Sequence, residues 1–130
     1  MPGKQTILVV AHQKTFRNLL AKELTPLYDV IFAKDGVEAI RIHERYTNQI
    51  ATIVVEFHLP RLSGRAVTEW VHHILPELPV IIINDVIDDE VRELLEHPAV
   101  RFVQKPAQLV KVKTVLQNIL HTNSVAAAGH

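Results

Sequence analysis

The sequence predicts an α/β fold in which helices cover both faces of a five-stranded parallel sheet. Five short apolar runs alternate with five longer segments whose apolar residues recur at helical spacing. Three of the short runs are apolar almost without interruption, which is typical of strands buried on both faces. A β-α order repeated five times therefore indicates one doubly wound domain.

The five predicted strands are short and rich in β-branched residues. Parallel strands cannot be joined by a tight turn, and a segment with helical periodicity separates every consecutive pair here. The strands are TILVV (6–10), DVIFA (29–33), ATIVV (51–55), PVIII (79–83) and VRFVQ (100–104).

The first three predicted helices each present one apolar face, which we expect to pack on the sheet. The second follows Asp35-Gly36, which is a turn and helix-start signal, and the third ends before Pro76. The residues assigned to the three apolar faces are Phe16, Leu19, Leu20 and Leu24; Val37, Ala39, Ile40 and Ile42; and Val67, Trp70, Val71 and Ile74.

The last two predicted helices differ in how they begin and end. The fourth opens at the acidic residues Asp88, Asp89 and Glu90, which we interpret as a helix-start charge bias rather than a cation site. The fifth has apolar periodicity up to Leu120, and the sequence after it lacks this pattern. We therefore expect a domain over residues 1–121 and a flexible tail or the start of a linker over 122–130. The apolar residues of the fifth helix are Leu109, Val112, Leu116, Ile119 and Leu120.

Composition and charge argue against several classes of function. The chain has 130 residues, of which 48% are hydrophobic and 22% charged, as in ordinary globular domains. Fourteen basic residues balance fourteen acidic ones, so we expect no direct binding of nucleic acid or membrane surfaces. The lack of cysteine excludes disulfides and thiolate metal sites and suits the cytoplasm. No apolar run approaches the roughly 20 residues of a membrane span, so we expect a cytoplasmic protein.

Polar residues follow four of the predicted strands. In doubly wound sheets, ligands and chemistry lie beyond the carboxyl ends of the strands. Those ends carry Ala11-His12, Glu56 with His58, Asn84-Asp85, and Lys105-Pro106. A carboxylate at the end of a buried strand is costly unless it is paired, so Glu56 in particular needs a partner.

Several of these motifs together resemble the receiver domain of two-component response regulators. They are ILVV in the first strand, KDGVEAI (34–40), VVEFHLPRLSG (54–64), PVIIIND (79–85) and FVQKP (102–106), and the resemblance extends from Lys4 to Leu120. It implies a flavodoxin-like three-layer sandwich with strand order 2-1-3-4-5.

The resemblance also implies an activity and a set of positions for it. In the family, a phosphoryl group passes from a phosphohistidine or a small phosphodonor to an aspartate four residues before a proline. Counting back from Pro60 places Glu56 at that position. The family's Mg²⁺-binding acidic pair corresponds to Ala11 and His12. Lys105-Pro106 matches the family's lysine and proline, where the proline follows a cis peptide.

The departures from the family's pattern all disfavour phosphoryl transfer. Mg²⁺ prefers hard oxygen ligands, whereas Ala11 offers none and the neutral imidazole of His12 is a poor one. Glu56 is one methylene longer than aspartate, which misplaces its oxygens for in-line attack. Asn84 stands where the family has Thr or Ser, and Asp85 adds negative charge where a small residue leaves room for the phosphoryl group. We therefore expect no catalytic residue, no enzymatic activity, no metal and no cofactor.

The family's pattern suggests a partner for Glu56. We expect Glu56 to pair with Lys105 across the mouth of the pocket, and Asn84 to donate its side-chain amide to the same carboxylate. Such a pair would hold a negative charge where an acyl phosphate otherwise forms. Whether Glu56 mimics phosphorylation and favours the active shape stays open, because a carboxylate carries less charge than a phosphoryl group.

The leading hypothesis is a degenerate receiver domain, or pseudo-receiver, that acts as a protein interaction module. The resemblance implies an interaction face formed by the fourth helix, the fifth strand and the fifth helix. Its partner would be a histidine kinase, an output domain, another regulator or a second copy of the chain. Phe102 stands at the family's aromatic switch position and is expected to prefer the buried state. The residues assigned to this face are Val91, Arg92, Leu95, Phe102, Lys111 and Val115.

Two alternatives remain open. One is an unconventional phosphoacceptor that uses Glu56 or another nearby acid. The other is a sensor of a small ligand or metal, in which His12, Glu56 and His58 converge on one pocket. The adjacent His72 and His73 face different directions on a helix, so we interpret them as surface residues.

Overall fold

All five strands form one parallel sheet in the order β2-β1-β3-β4-β5. The structure is a computed structural model, and it describes residues 3–105 and 111–128. The order confirms the predicted fold class, and the strands lie within one residue of their predicted bounds. The strands are β1 (Thr6–Val10), β2 (Asp29–Ala33), β3 (Ile50–Glu56), β4 (Val80–Asn84) and β5 (Val100–Gln104).

Five helices complete the three layers. Two apolar cores lie on opposite faces of the sheet, one beneath α2, α3 and α4 and the other beneath α1 and α5. Successive residues of the central strands alternate between them: Val54 faces the α1 and α5 side, whereas Ile53 and Val55 face the other. The helices are α1 (Lys14–Leu24), α2 (Gly36–Arg45), α3 (Gly64–Ile74), α4 (Asp89–Leu95) and α5 (Lys111–Ala128).

Side-chain caps begin three of the helices, and the sequence signals two of them, at Asp35 and Asp88. Asp35 accepts a hydrogen bond from the backbone N–H of Glu38 at 2.8 Å. Ser63 accepts one from Ala66 at 3.1 Å, and Asp88 accepts one from Val91 at 2.9 Å. The interpretation of the acidic cluster at Asp88 as a helix start is therefore confirmed.

Two residues assigned to buried helix faces are exposed instead. Leu19 is 54% exposed because the sheet covers only the stripe formed by Phe16, Leu20 and Leu24, and Leu19 lies about 100° around the helix axis from Leu20. Ile74 is 45% exposed because it is the last residue of α3. The exposed face of α1 is thus more apolar than its pattern predicts.

The carboxyl-terminal helix runs further than its apolar periodicity. The backbone of α5 remains helical to Ala128, eight residues beyond Leu120. Whether residues 122–130 begin a linker stays a prediction. The expectations for Pro106 and Leu109 lie outside the described residues. Among the described helices, none is long and apolar enough to cross a membrane.

Candidate functional site

Glu56 is the last residue of β3 and is almost completely buried. It lies between β1 and β4, with its backbone in register with Ile83, and its side chain is 7% exposed. A buried carboxylate must find donors for its oxygens, since its desolvation is otherwise uncompensated. Two donors from the described part of the chain supply this need, and they come from two other loops at the same edge of the sheet.

The first donor is Lys105, which directly follows β5. Its Nζ lies 2.5 Å from Oε2 of Glu56. The same ammonium lies 5.0 Å from the centroid of the Phe16 ring, so an aromatic face on α1 also contacts it. The predicted Glu56–Lys105 pair is therefore confirmed, and Lys105 does point into the pocket.

The second donor is a backbone amide that residue types do not reveal. The N–H of His12 donates to Oε1 of Glu56 at 2.8 Å. Arg17 holds this loop in place, because its Nη1 donates to the carbonyls of Ala11 at 2.9 Å and His12 at 2.6 Å. The Arg17 guanidinium thus positions the amide that faces Glu56. Sequence reasoning missed both contacts.

The expectation for Asn84 is wrong. Its side-chain amide donates to the carbonyl of Val86 at 3.1 Å rather than to Glu56. Asn84 is buried, and this short-range bond closes the turn after β4 on itself. The neighbouring Asp85 is exposed, and its carbonyl accepts a bond from the Gln104 amide at 2.8 Å. Asn84 and Asp85 therefore shape the pocket edge through the turn.

The predicted convergence of His12, Glu56 and His58 is also wrong. His12 is exposed and contributes its backbone N–H to Glu56. His58 is exposed too, and its ring packs edge-on against Phe57 with centroids 5.1 Å apart. Within residues 3–105 and 111–128, no three His, Cys, Asp or Glu side chains are grouped to hold a metal. The methyl of Ala11 is fully buried in the core beneath α1 and α5.

The loop after Glu56 is fixed by a close approach of backbone to backbone. A Cβ on Gly64 would lie 2.1 Å from the carbonyl oxygen of Glu56, so only glycine fits there. The Gly64 N–H donates to the carbonyl of Phe57 at 2.9 Å. Arg61 has a positive φ of 69° and pairs with Asp35 at 3.2 Å. The loop is thereby tied to the start of α2.

Asp35 is the main titratable group at that junction. The hydrogen bond from the Glu38 amide lowers the pKa of Asp35, and the nearby Arg61 lowers it further, while burial opposes both. The carboxylate therefore stays ionised, as its capping role requires.

The predicted interaction face divides into exposed, half-buried and buried residues. Arg92 and Lys111 are exposed, whereas Leu95 and Val115 are half-buried. Phe102 is half-buried against the core, so it is less enclosed than expected for a fully buried switch residue. Val91 is completely buried in the same core and is therefore not available to a partner, which corrects its assignment.

The predictions for Trp70, His72 and His73 have different outcomes. Trp70 packs against the core as expected, and its ring meets that of His43 edge-on at 5.5 Å. His73 is exposed as expected, but His72 is half-buried and hydrogen-bonded, so the assignment of His72 to the surface is wrong. The His72 ring is hydrogen-bonded to the carbonyl of Leu78 in the turn that follows α3.

The fold and this pocket define a class of protein. A family model described as the response regulator receiver domain matches residues 7–117. The chain therefore belongs to the response regulator receiver domain family, which functions in two-component signal transduction.

Individual relatives agree with this assignment. The chain is 30% identical over 118 residues to the two-component response regulator-like PRR73 of Oryza sativa subsp. indica, covering 87% of this chain and 15% of that protein. A response regulator receiver domain protein from Clostridium thermocellum has a similar structure, with a TM-score of 0.84 at 21% identity over 94% of this chain and 98% of that one. The chain thus spans a small part of the length of the rice relative.

A second similar structure is a chain of the CheX–CheY–BeF₃–Mg²⁺ complex from Borrelia burgdorferi. Its TM-score is 0.80 at 20% identity, over 88% of each chain. At this identity, the likeness establishes the shared fold.

Proposed function

We propose that this receiver domain works without the usual Mg²⁺-dependent phosphorylation, as a cytoplasmic protein interaction module without enzymatic activity. The observation that carries the proposal is that both oxygens of the Glu56 carboxylate already accept hydrogen bonds. One oxygen accepts from Lys105 and the other from the His12 amide, so the charge and donors of the pocket already serve this side chain.

The composition of the pocket supports the same proposal. A divalent cation needs oxygen ligands next to the acceptor, but positions 11 and 12 carry a buried methyl and an exposed imidazole. Lys105, the cation that a phosphoryl group would otherwise need, is already paired with Glu56. The proposed pseudo-receiver character therefore rests on residues at the carboxyl ends of β1, β3 and β5.

The proposed module acts through the α4–β5–α5 face, defined here by Arg92, Leu95, Phe102, Lys111 and Val115. Two of these residues are exposed cations and three are half-buried apolar residues, which is a suitable composition for a protein contact. The occupant is a protein partner, such as a kinase, an output domain or another regulator, or a second copy of the chain. Sedimentation of wild type and Phe102→Ala over a range of concentrations tests self-association through this face.

An NMR titration tests the loss of phosphoryl chemistry. Mg²⁺ is added to the full chain first, and beryllofluoride, which imitates an acyl phosphate, is added second. We expect no saturable shifts at the amides of Glu56, Asn84 and Lys105. Saturable shifts there that extend to Phe102 would contradict the proposal and favour the unconventional phosphoacceptor.

A matched variant makes a negative result interpretable. Ala11→Asp, His12→Asp and Glu56→Asp, combined in one chain, restore the carboxylates that the family pattern calls for. We expect this triple variant to show saturable Mg²⁺ shifts at the same amides. If wild type and the triple variant show the same Mg²⁺-induced shifts, the residues at positions 11, 12 and 56 do not determine whether the pocket binds Mg²⁺.

A further inference from the structure

At the opposite end of the sheet from Glu56, two imidazole rings lie face to face. The ring centroids of His72 and His97 are 4.1 Å apart, and the ring planes differ by 14°. His72 lies in the last turn of α3, and His97 lies in the turn between α4 and β5. We call these two residues the histidine pair.

Each ring of the histidine pair is bonded to the backbone, and the bond defines its neutral tautomer. Nε2 of His72 lies 2.8 Å from the carbonyl oxygen of Leu78, which can only accept, so this nitrogen carries a proton. Nδ1 of His97 accepts the N–H of Ala99 at 3.0 Å, so this nitrogen carries none. The hydrogen bond from the Ala99 N–H therefore requires the His97 ring to be neutral.

The two turns that hold the rings are themselves joined. The N–H of Val80 donates to the carbonyl of Ala99 at 3.0 Å, which links the start of β4 to the turn before β5. The histidine pair adds a second connection, between the end of α3 and the end of α4. A change in the pair therefore acts on both turns together.

Charged groups lie on both sides of the histidine pair. On one side, Glu69 and Glu93 line a cavity of about 330 Å³ with His72, His73 and His97. Both acids are already paired with Arg65, at 3.6 and 2.8 Å. On the other side, Glu77 and Arg101 line a cavity of about 580 Å³ with His97. Arg101 donates to the carbonyl of Pro98 at 2.6 Å.

We propose that the histidine pair is a pH-dependent switch that joins the end of α3 to the α4–β5 turn. Protonation of His97 at Nδ1 removes the acceptor for the Ala99 N–H. It also places a positive charge directly against the His72 ring. The stack then opens, and the α4–β5 turn is released from α3. This switch is independent of the pocket at Glu56.

The electrostatics of His72 agree with the switch. Burial lowers the pKa of His72, and the adjacent His97 lowers it further, while the bond to the Leu78 carbonyl raises it in part. His72 therefore resists protonation while the stack is intact, and loss of the stack removes part of that resistance.

An NMR titration of the full labelled chain from about pH 8 to about pH 5 tests the proposal. The imidazole signals report protonation, and the amides of Ala99 and Leu78 report the two turns. We expect both amides to shift with the midpoint of the histidine pair. Amides that stay still while the two rings titrate would overturn the proposal.

Two variants separate the switch from a general effect of acid. His97→Asn keeps an oxygen that can accept the Ala99 N–H but cannot be protonated in this range. In this variant, the Ala99 and Leu78 amides should lose their pH response, and the His72 midpoint should rise. His73→Gln, one residue away and exposed, should leave the response unchanged. An unaltered response in His97→Asn, or its loss in His73→Gln, would overturn the assignment.

Discussion

The carboxylate of Glu56 and the ammonium of Lys105 meet at 2.5 Å, although 49 residues separate them along the chain. Glu56 ends β3 and Lys105 follows β5, so the pair spans the carboxyl edge of β4 between them. One partner is almost fully buried and the other is 30% exposed. Removing either partner alone therefore leaves the other poorly compensated.

Lys105→Met tests the energetic role of this pair. It removes the charge but keeps much of the side-chain volume, so Glu56 retains the His12 amide and loses the Lys105 ammonium. We expect the free energy of unfolding to fall by about 3 kcal/mol, the lower part of the range for breaking a buried pair. Denaturant unfolding near neutral pH measures the change.

The double variant Glu56→Gln with Lys105→Met should lose less stability than the two single variants summed, because neither partner is left charged. Lys111→Met, on an exposed lysine, serves as the control and should change stability by less than about 0.5 kcal/mol. Additive losses in the double variant would show that the ion pair contributes no coupling.

Arg17→Met tests whether the guanidinium positions the loop after β1. The variant leaves the carbonyls of Ala11 and His12 without this donor. The backbone amide of His12 should therefore be less protected from hydrogen exchange. We expect a stability loss of about 1.5–3 kcal/mol, as for hydrogen bonds to a charged group. Lys22→Met, elsewhere on α1, is the control. Unchanged His12 exchange in Arg17→Met would contradict the positioning role.

Gly64→Ala tests the close approach behind Glu56. The new Cβ would lie 2.1 Å from the Glu56 carbonyl oxygen, and backbone atoms cannot move aside cheaply. We expect a loss of about 3 kcal/mol or more in the free energy of unfolding. Gly3→Ala meets nothing within 4 Å and should be nearly neutral. Similar losses in the two variants would show that the loop can shift.

His43 makes stability depend on pH. It is buried on α2, its two ring nitrogens find no hydrogen-bond partner among the residues that the structure describes, and burial lowers its pKa. The unfolded chain therefore binds a proton more readily than the folded one. This contribution to stability is fully present above the unfolded pKa of about 6.5 and is lost as the pH falls toward the lower folded pKa.

His43→Leu should remove that part of the acid sensitivity. Because it also relieves buried polar atoms without partners, we expect a gain of about 1 kcal/mol at pH near 7. Denaturant unfolding at several pH values measures both effects, with the exposed His73→Leu as the control. A variant that keeps the wild-type slope between about pH 5 and pH 7 would show that His43 is not the group responsible.

The sequence by itself determined the five β-α units, since buried strands require continuous apolar runs and helices require a 3.6-residue period. It also determined the positions that face each other at the pocket, so the Glu56–Lys105 pair was predictable from the family's spacing. Helix starts at Asp35 and Asp88 followed from local chemistry alone, because a cap needs only its own first turn.

Only the tertiary structure decided which donors complete the site. Every residue except proline carries a backbone N–H, so nothing in the sequence marks that of His12 as a donor to Glu56. Arg17 likewise acts on carbonyls that any residue would offer. Asn84 had a nearer acceptor at Val86, and such short-range competition depends on turn geometry. Burial of Val91 and stacking of His72 on His97 likewise depend on how neighbouring elements pack, which periodicity within one helix does not specify.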